Sequence, residues 1–318
     1  MDTSEARTEP FAQFLEFHDA FSQQFKASVT ALTFIAKGDV RLQSAFLDEL
    51  PSHWRAHHDW SNVSGILAHA TADANRLAIV QIHSALDDFL VALRGAHDRW
   101  KTKSGKRIPK WTGAEGEPDE PLWKAATAMG LDAAELISWQ PLLTYFRVMR
   151  NCIVHASSRA SGELVELSVA TSLTQLLAKW PKRARATAPR VPEFGKARTI
   201  KISHKDVILC LDAARRACSS INGSLLAFLE VPGLVHAAAH HALLDQGLTT
   251  LRGSYRTAAR AIGHTLGTRY GVKKFNQTLD TDLRRLDILD HCKKRHSQLY
   301  RQSVEQGLFK VPHGFKLP

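Results

Sequence analysis

Leu142, Phe146, Met149 and Ile153 recur at spacings of four, three and four, a period that suits one face of an α-helix and no half-buried strand. The breaker-rich run Ser-Ser-Arg-Ala-Ser-Gly at 157–162 ends that helix, and Pro141 is expected in its first turn. Arg150 then falls in the penultimate turn and His155 in the last.

The same periodicity runs through the chain. Phe14, Phe21, Phe25 and Leu32, with His18 and Val29 between them, predict a first long helix. Leu42, Phe46, Leu47 and Leu50 predict a second, which Pro51 breaks. Residues 100–121 are too rich in Gly, Pro and charge for an element and read as a loop. A second breaker-rich stretch, 180–190, carries Lys182, Arg183, Arg185 and Arg190 without an acid, and suits an RNA contact and a plain basic linker equally. Ser203 and Asp206 form a capping box, and Val207, Cys210, Leu211, Ala214 and Cys218 continue the helix it opens. Val231-Pro232-Gly233 is expected to end that helix and to divide the chain into a helical domain, 1–230, and a C-terminal region, 231–318.

Charge sets the second region apart. The formal net charge is +11, and residues 231–318 hold 14 Lys and Arg against six Asp and Glu. Such an excess attracts polyanions by counterion release, although a solvated helix surface carries the same charges. Leu279, Leu283, Leu286, Leu289, His296 and Leu299 lie on one stripe beside Arg284, Arg285, Lys293, Lys294 and Arg295, an amphipathic basic helix suited to nucleic acid or to a partner helix. Before it, 258–272 reads as two short helices joined at a glycine, either a helix-turn-helix or an ordinary packing pair.

Several chemistries find no support. The chain has no G-x-x-x-x-G-K-[ST], no G-x-G-x-x-G after a strand and no Ser-centred elbow, so no cofactor is expected. His236, His240 and His241, and separately His291, Cys292 and His296, fall short of a ligand set, and no metal is assigned to them. The four cysteines show no paired spacing and read as reduced, buried thiols. Without a long uncharged apolar run or a leader-like N-terminus, the expected location is the cytoplasm, with no membrane contact.

The end of the motif helix carries the chemistry. His155 offers the side chain that titrates nearest neutrality, able to take the proton of a ribose 2′-hydroxyl or to protonate a leaving oxygen. Arg150 offers a permanent planar cation for phosphate oxygens, and Asn151 shares a helix face with His155 to orient it or a phosphate. The same Arg and His in a last turn also serve simply to complement the helix macrodipole. Residues five apart on a helix diverge by about 140°, so one helix makes half a site, and two copies about a symmetry axis would complete it.

Arg150-Asn151-x-x-x-His155 after an apolar helix resembles the HEPN superfamily of prokaryotic ribonucleases and nucleotide-binding domains. Asn75 to Leu90 is similar to the long second helix of such domains, and Thr199-Ile200-Lys201-Ile202-Ser203 to their closing segment, so the resemblance spans roughly residues 10 to 230. It implies a mainly α, HEPN-like helical bundle, here with a basic helical C-terminal extension. It also implies a homodimer whose paired arginines and histidines cut RNA without metal, leaving a 2′,3′-cyclic phosphate. Arg150, Asn151 and His155 would be catalytic, with Arg147, Arg159, Lys182, Arg183 and Arg185 binding RNA. A toxin–antitoxin or antiviral defence role follows from the same resemblance, with an antitoxin or regulatory partner. The tyrosine that some members carry two residues past the histidine is replaced by Ser157, which argues against silencing by its modification. A catalytically silent binding or interaction module, and a DNA-binding regulator that uses the basic tail, remain alternatives.

Overall fold

The computed structural model describes residues 5–57, 59–105, 121–180, 189–196, 198–242 and 255–273, together with Leu279, Leu283, Asp287 and Gln298. Among the described residues the elements are helices: α1 (Glu9–Lys37), α2 (Val40–Asp48), α3 (Ser52–His57), α4 (Val63–Ser104), α5 (Pro121–Ala128), α6 (Ala134–His155), α7 (Gly162–Ser168), α8 (Thr171–Ala178), α9 (His204–His240) and α10 (Tyr255–Thr268). The mainly α expectation holds, and an isolated antiparallel bridge joins Arg159 to Thr199.

α4 is the spine. Its buried positions, among them Asn75, Ala78, Ile79, Ile82, Leu86, Phe89, Leu93 and Trp100, recur at three and four residues and form a continuous stripe. α1 lies against it in the opposite direction: Phe14 meets Phe89 edge-on at 6.1 Å, while Ser64 Oγ donates to the Ala36 carbonyl at the other end. The α1 stripe is the expected one, with Phe14, Phe21, Phe25 and Val29 buried and Phe17, Phe21 and Phe25 stacked in sequence. α9 covers another side of α4 and runs antiparallel to α6, as Ser224 Oγ on the Asp132 carbonyl and the nearness of Tyr145 to Asp206 require.

Two local expectations change. α6 starts at Ala134, so Pro141 lies inside the helix and not in its first turn. Burial of Leu136 extends the apolar stripe upstream, and that packing outweighs the backbone hydrogen bond a proline cannot donate. Residues 255–268 form one helix that passes through Gly263 and stops before Gly271, which has φ 65°, so the glycine-jointed pair is absent there. Ile262 and Leu266 are both fully buried, and one uninterrupted face accommodates them. Beside Val231-Pro232-Gly233 the first helical run of α9 stops as expected, with Glu230 at φ 56° and ψ −174°, and a second run continues to His240 with Leu234, Val235 and Ala238 in the same core as α4 and α6. The capping box at its start forms as read, with Asp206 Oδ2 accepting from the Ser203 backbone at 2.8 Å.

Leu279 and Leu283 are buried, whereas the rest of the basic stripe and residues 106–120 lie outside the described residues. α9 is the one helix among the described residues long and apolar enough to cross a membrane by length and composition. Here it packs against α1, α4, α6 and α10.

The start of α1 is tied to the turn after α10. Arg7 N–H donates to the Tyr270 carbonyl, and Lys273 pairs with Glu5 at 2.9 Å. Gly271 makes this approach workable, since a Cβ there would sit 2.6 Å from the Glu5 carbonyl oxygen on a left-handed backbone. Gly271→Ala is expected to cost about 2 kcal/mol from conformation and crowding together, read as a lowered urea midpoint with an unchanged slope.

Candidate active site at the end of α6

α6 buries Leu142, Phe146 and Met149 and turns Arg147, Arg150 and Asn151 to a half-buried flank. His155 is its last residue and is exposed, beside the exposed Val154. Both turn placements read from the sequence are therefore as expected.

The helix end is held by backbone. The Cys152 carbonyl accepts from the N–H groups of Ala156 and Ser158, both at 3.1 Å, while Ser157 and Ser158 take φ of 50° and 59°. Two consecutive non-glycine residues in the left-handed region are costly and persist only where surroundings impose them. Here the extended segment 198–200 does so: Ile200 N–H donates to the Ser158 carbonyl at 2.8 Å and Ala160 N–H to Arg198 at 2.9 Å. That segment is pinned in turn to α4, where Asn75 Nδ2 donates to the Ile202 carbonyl at 2.9 Å and Arg76 reaches Ile200. The three stretches singled out in the sequence, on α4, at the end of α6 and at 199–203, thus meet. Tyr145, also on α6, donates its hydroxyl to the Pro192 carbonyl at 2.9 Å, and burial, then Asp206, pushes its pKa upward.

Arg150 Nη1 donates to Asn151 Oδ1 at 3.1 Å. Asn151 therefore steadies the guanidinium and makes no bond to His155 among the described residues, unlike the orienting role on His155 considered from the sequence. Arg150 and His155 do not touch, as their spacing on the helix requires. Arg147 is half-buried and acts, like Arg150, on His83 of α4, and Arg159 is exposed in the bridge to Thr199. Lys182, Arg183 and Arg185 lie outside the described residues.

A histidine that sequence reasoning left unassigned belongs to this cluster. His83 of α4 packs against α6, where burial first, then Arg150 and Arg147, lower its pKa to about 4, opposed by a hydrogen bond to the Phe146 backbone. Its Nε2 is shielded from solvent and bonds to nothing, and the same holds for Arg150 Nε. Nothing local marks His83 out among the 16 histidines, because only the α4–α6 packing brings the two arginines to it.

The lowered pKa has a sign. Between the unfolded value near 6.5 and about 4, the unfolded chain holds a proton at this position that the folded chain refuses. Stability is therefore full above pH 6.5 and is lost as the pH falls towards 4, by up to about 3 kcal/mol. His83→Gln should flatten that part of a stability curve measured by urea unfolding from pH 7 to 4.

Of the incomplete metal sets, His291, Cys292 and His296 lie outside the described residues. His236 is buried beside Trp100 at 5.7 Å, and His241 lies 3.7 Å from Glu9. No group of three or more His, Cys, Asp or Glu suited to a metal ion occurs among the described residues. Cys152, Cys210 and Cys218 are buried, and burial drives the Cys210 pKa up. Comparison of the chain with protein-family models, with curated proteins and with solved structures finds no match.

Proposed function

We propose that this protein is a metal-independent endoribonuclease of the HEPN kind, with Arg150, Asn151 and His155 as its catalytic set. The observation that carries the reading is the rigid helix end: an exposed imidazole and an Asn-braced guanidinium on a terminus clamped by 198–200 and α4. His155 takes the proton from a ribose 2′-hydroxyl as its oxygen attacks phosphorus. The P–O5′ bond then breaks, the 5′-oxygen leaves with the proton that His155 gives up, and a 2′,3′-cyclic phosphate remains. Arg150 stabilises the charge on the non-bridging oxygens in the transition state.

A second copy supplies the other half. Leu77 and Val91 on α4, 61% and 72% exposed and about 40° apart around the helix, offer an apolar strip suited to an isologous contact. Arg159 and the basic stretch with Lys182, Arg183 and Arg185 would grip the RNA backbone, and a defence role with an inhibitory partner follows the resemblance. Cleavage of total RNA by the purified full chain in excess chelator, with analysis of fragment ends, tests the reading. Cyclic phosphate ends support it, and intact RNA or metal-dependent cutting overturns it.

A further inference from the structure

The cluster on the α4–α6 flank is built for an anion. Arg150 has no carboxylate partner among the described residues, its one hydrogen bond goes to a neutral amide, and its Nε faces nothing. Next to it His83 bonds the Phe146 backbone through one ring nitrogen and leaves Nε2 enclosed and unanswered. Enclosed polar atoms without partners are rare and costly, and two from one cluster share a single remedy. An oxygen with negative charge is a partner that Arg150 Nε–H and a protonated His83 Nε2–H could each take.

We infer that His83, Arg147 and Arg150 form an inner notch between α4 and α6 that receives a non-bridging oxygen of a phosphodiester, with His83 taking up a proton as the phosphate docks. The inference rests on the ribonuclease reading and adds a binding residue from a second helix to it. The charged groups acting on His83 come from α6, as Arg147 and Arg150, while α1 and α9, which also pack on α4, bring none among the described residues. Burial first, and then those two cations, keep the free imidazole neutral. A phosphate that neutralises them and accepts from the protonated ring favours the charged form against burial, so binding and protonation are linked.

The test follows the His83 ring by NMR in the full chain with ¹³C-labelled histidine, at a pH between its free value of about 4 and neutrality. The additions are inorganic phosphate and then a 2′-O-methyl RNA oligonucleotide, which cannot be cut. The ring resonance should move from its neutral to its protonated position with both, and Arg150→Ala should weaken the coupling. His83→Gln, with its fold checked by circular dichroism, should weaken binding of the blocked RNA about 10- to 100-fold, the worth of one hydrogen bond to a charged group. A His83 resonance that stays neutral at saturating RNA, or His83→Gln binding like the parent, overturns the notch. The two readings fail separately: RNA cut normally while His83 stays neutral removes the notch alone. His83 protonated by blocked RNA in a protein that cuts nothing removes the nuclease alone.

Discussion

His155→Ala and Arg150→Ala are each expected to lower RNA cleavage by about 10³-fold while leaving the thermal transition nearly in place. His155 is exposed at the last position of α6, so its removal opens no cavity and breaks none of the backbone bonds that hold the terminus. The loss is chemical, since no proton acceptor remains for the 2′-hydroxyl. Arg150 acts differently. Its truncation frees Asn151 and removes the nearer electrostatic brake on His83, whose pKa should rise from about 4. The pH profile of residual cleavage should therefore lose the limb set by the general base in His155→Ala and keep it in Arg150→Ala. Single-turnover rates across pH separate the two, and equal rates for parent and both variants would remove catalysis from this helix end.

Arg269→Ala is expected to be the most damaging single change to the fold away from the site, at about 3 to 5 kcal/mol. Arg269 grips the carboxylate of Glu9 through Nε and Nη2, both at 2.7 Å, and Tyr270 adds its hydroxyl at 2.8 Å. Glu9 is buried, so removing Arg269 strands a carboxylate with too little compensation. Burial acts to raise the Glu9 pKa, yet Arg269, Tyr270 and His241 together bring it below its ordinary value of 4.5. Its contribution to stability is consequently present above pH 4.5 and lost as the pH falls through the lowered value. Urea unfolding of Arg269→Ala at neutral pH measures the loss. The double variant Glu9→Met with Arg269→Met should recover much of it, because breaking a buried pair costs more than replacing both members by apolar groups.

What could be read from residue order alone follows local physics. The stripe Leu142–Phe146–Met149–Ile153, the end of α6 at His155, the capping box of Ser203 and Asp206 and the α1 ladder of phenylalanines each depend on neighbours three or four positions away. Propagation past a breaker was less legible. Pro141 is a strong local signal for a helix start, but the turns before it are held by Leu136 in the core, and burial outweighs one missing hydrogen bond. At 258–272 the glycines suggested a joint where Ile262 and Leu266 instead keep a single face buried.

Half of the candidate site was thus written in the motif. Arg150, Asn151 and His155 stand out because their spacing on one helix is chemistry any reader can compute. His83 stands 67 positions before Arg150, and Arg269 stands 260 after Glu9. Such meetings have no local period. They arise when stripes on several helices are buried together, and each stripe specifies a face without naming its partner. The helical class and the polar end of α6 were consequently determined by the chain's own periodicity. Tertiary packing alone decided which histidine faces the arginines and which carboxylate is sealed inside, since burial and electrostatics act between groups that only the folded core brings near.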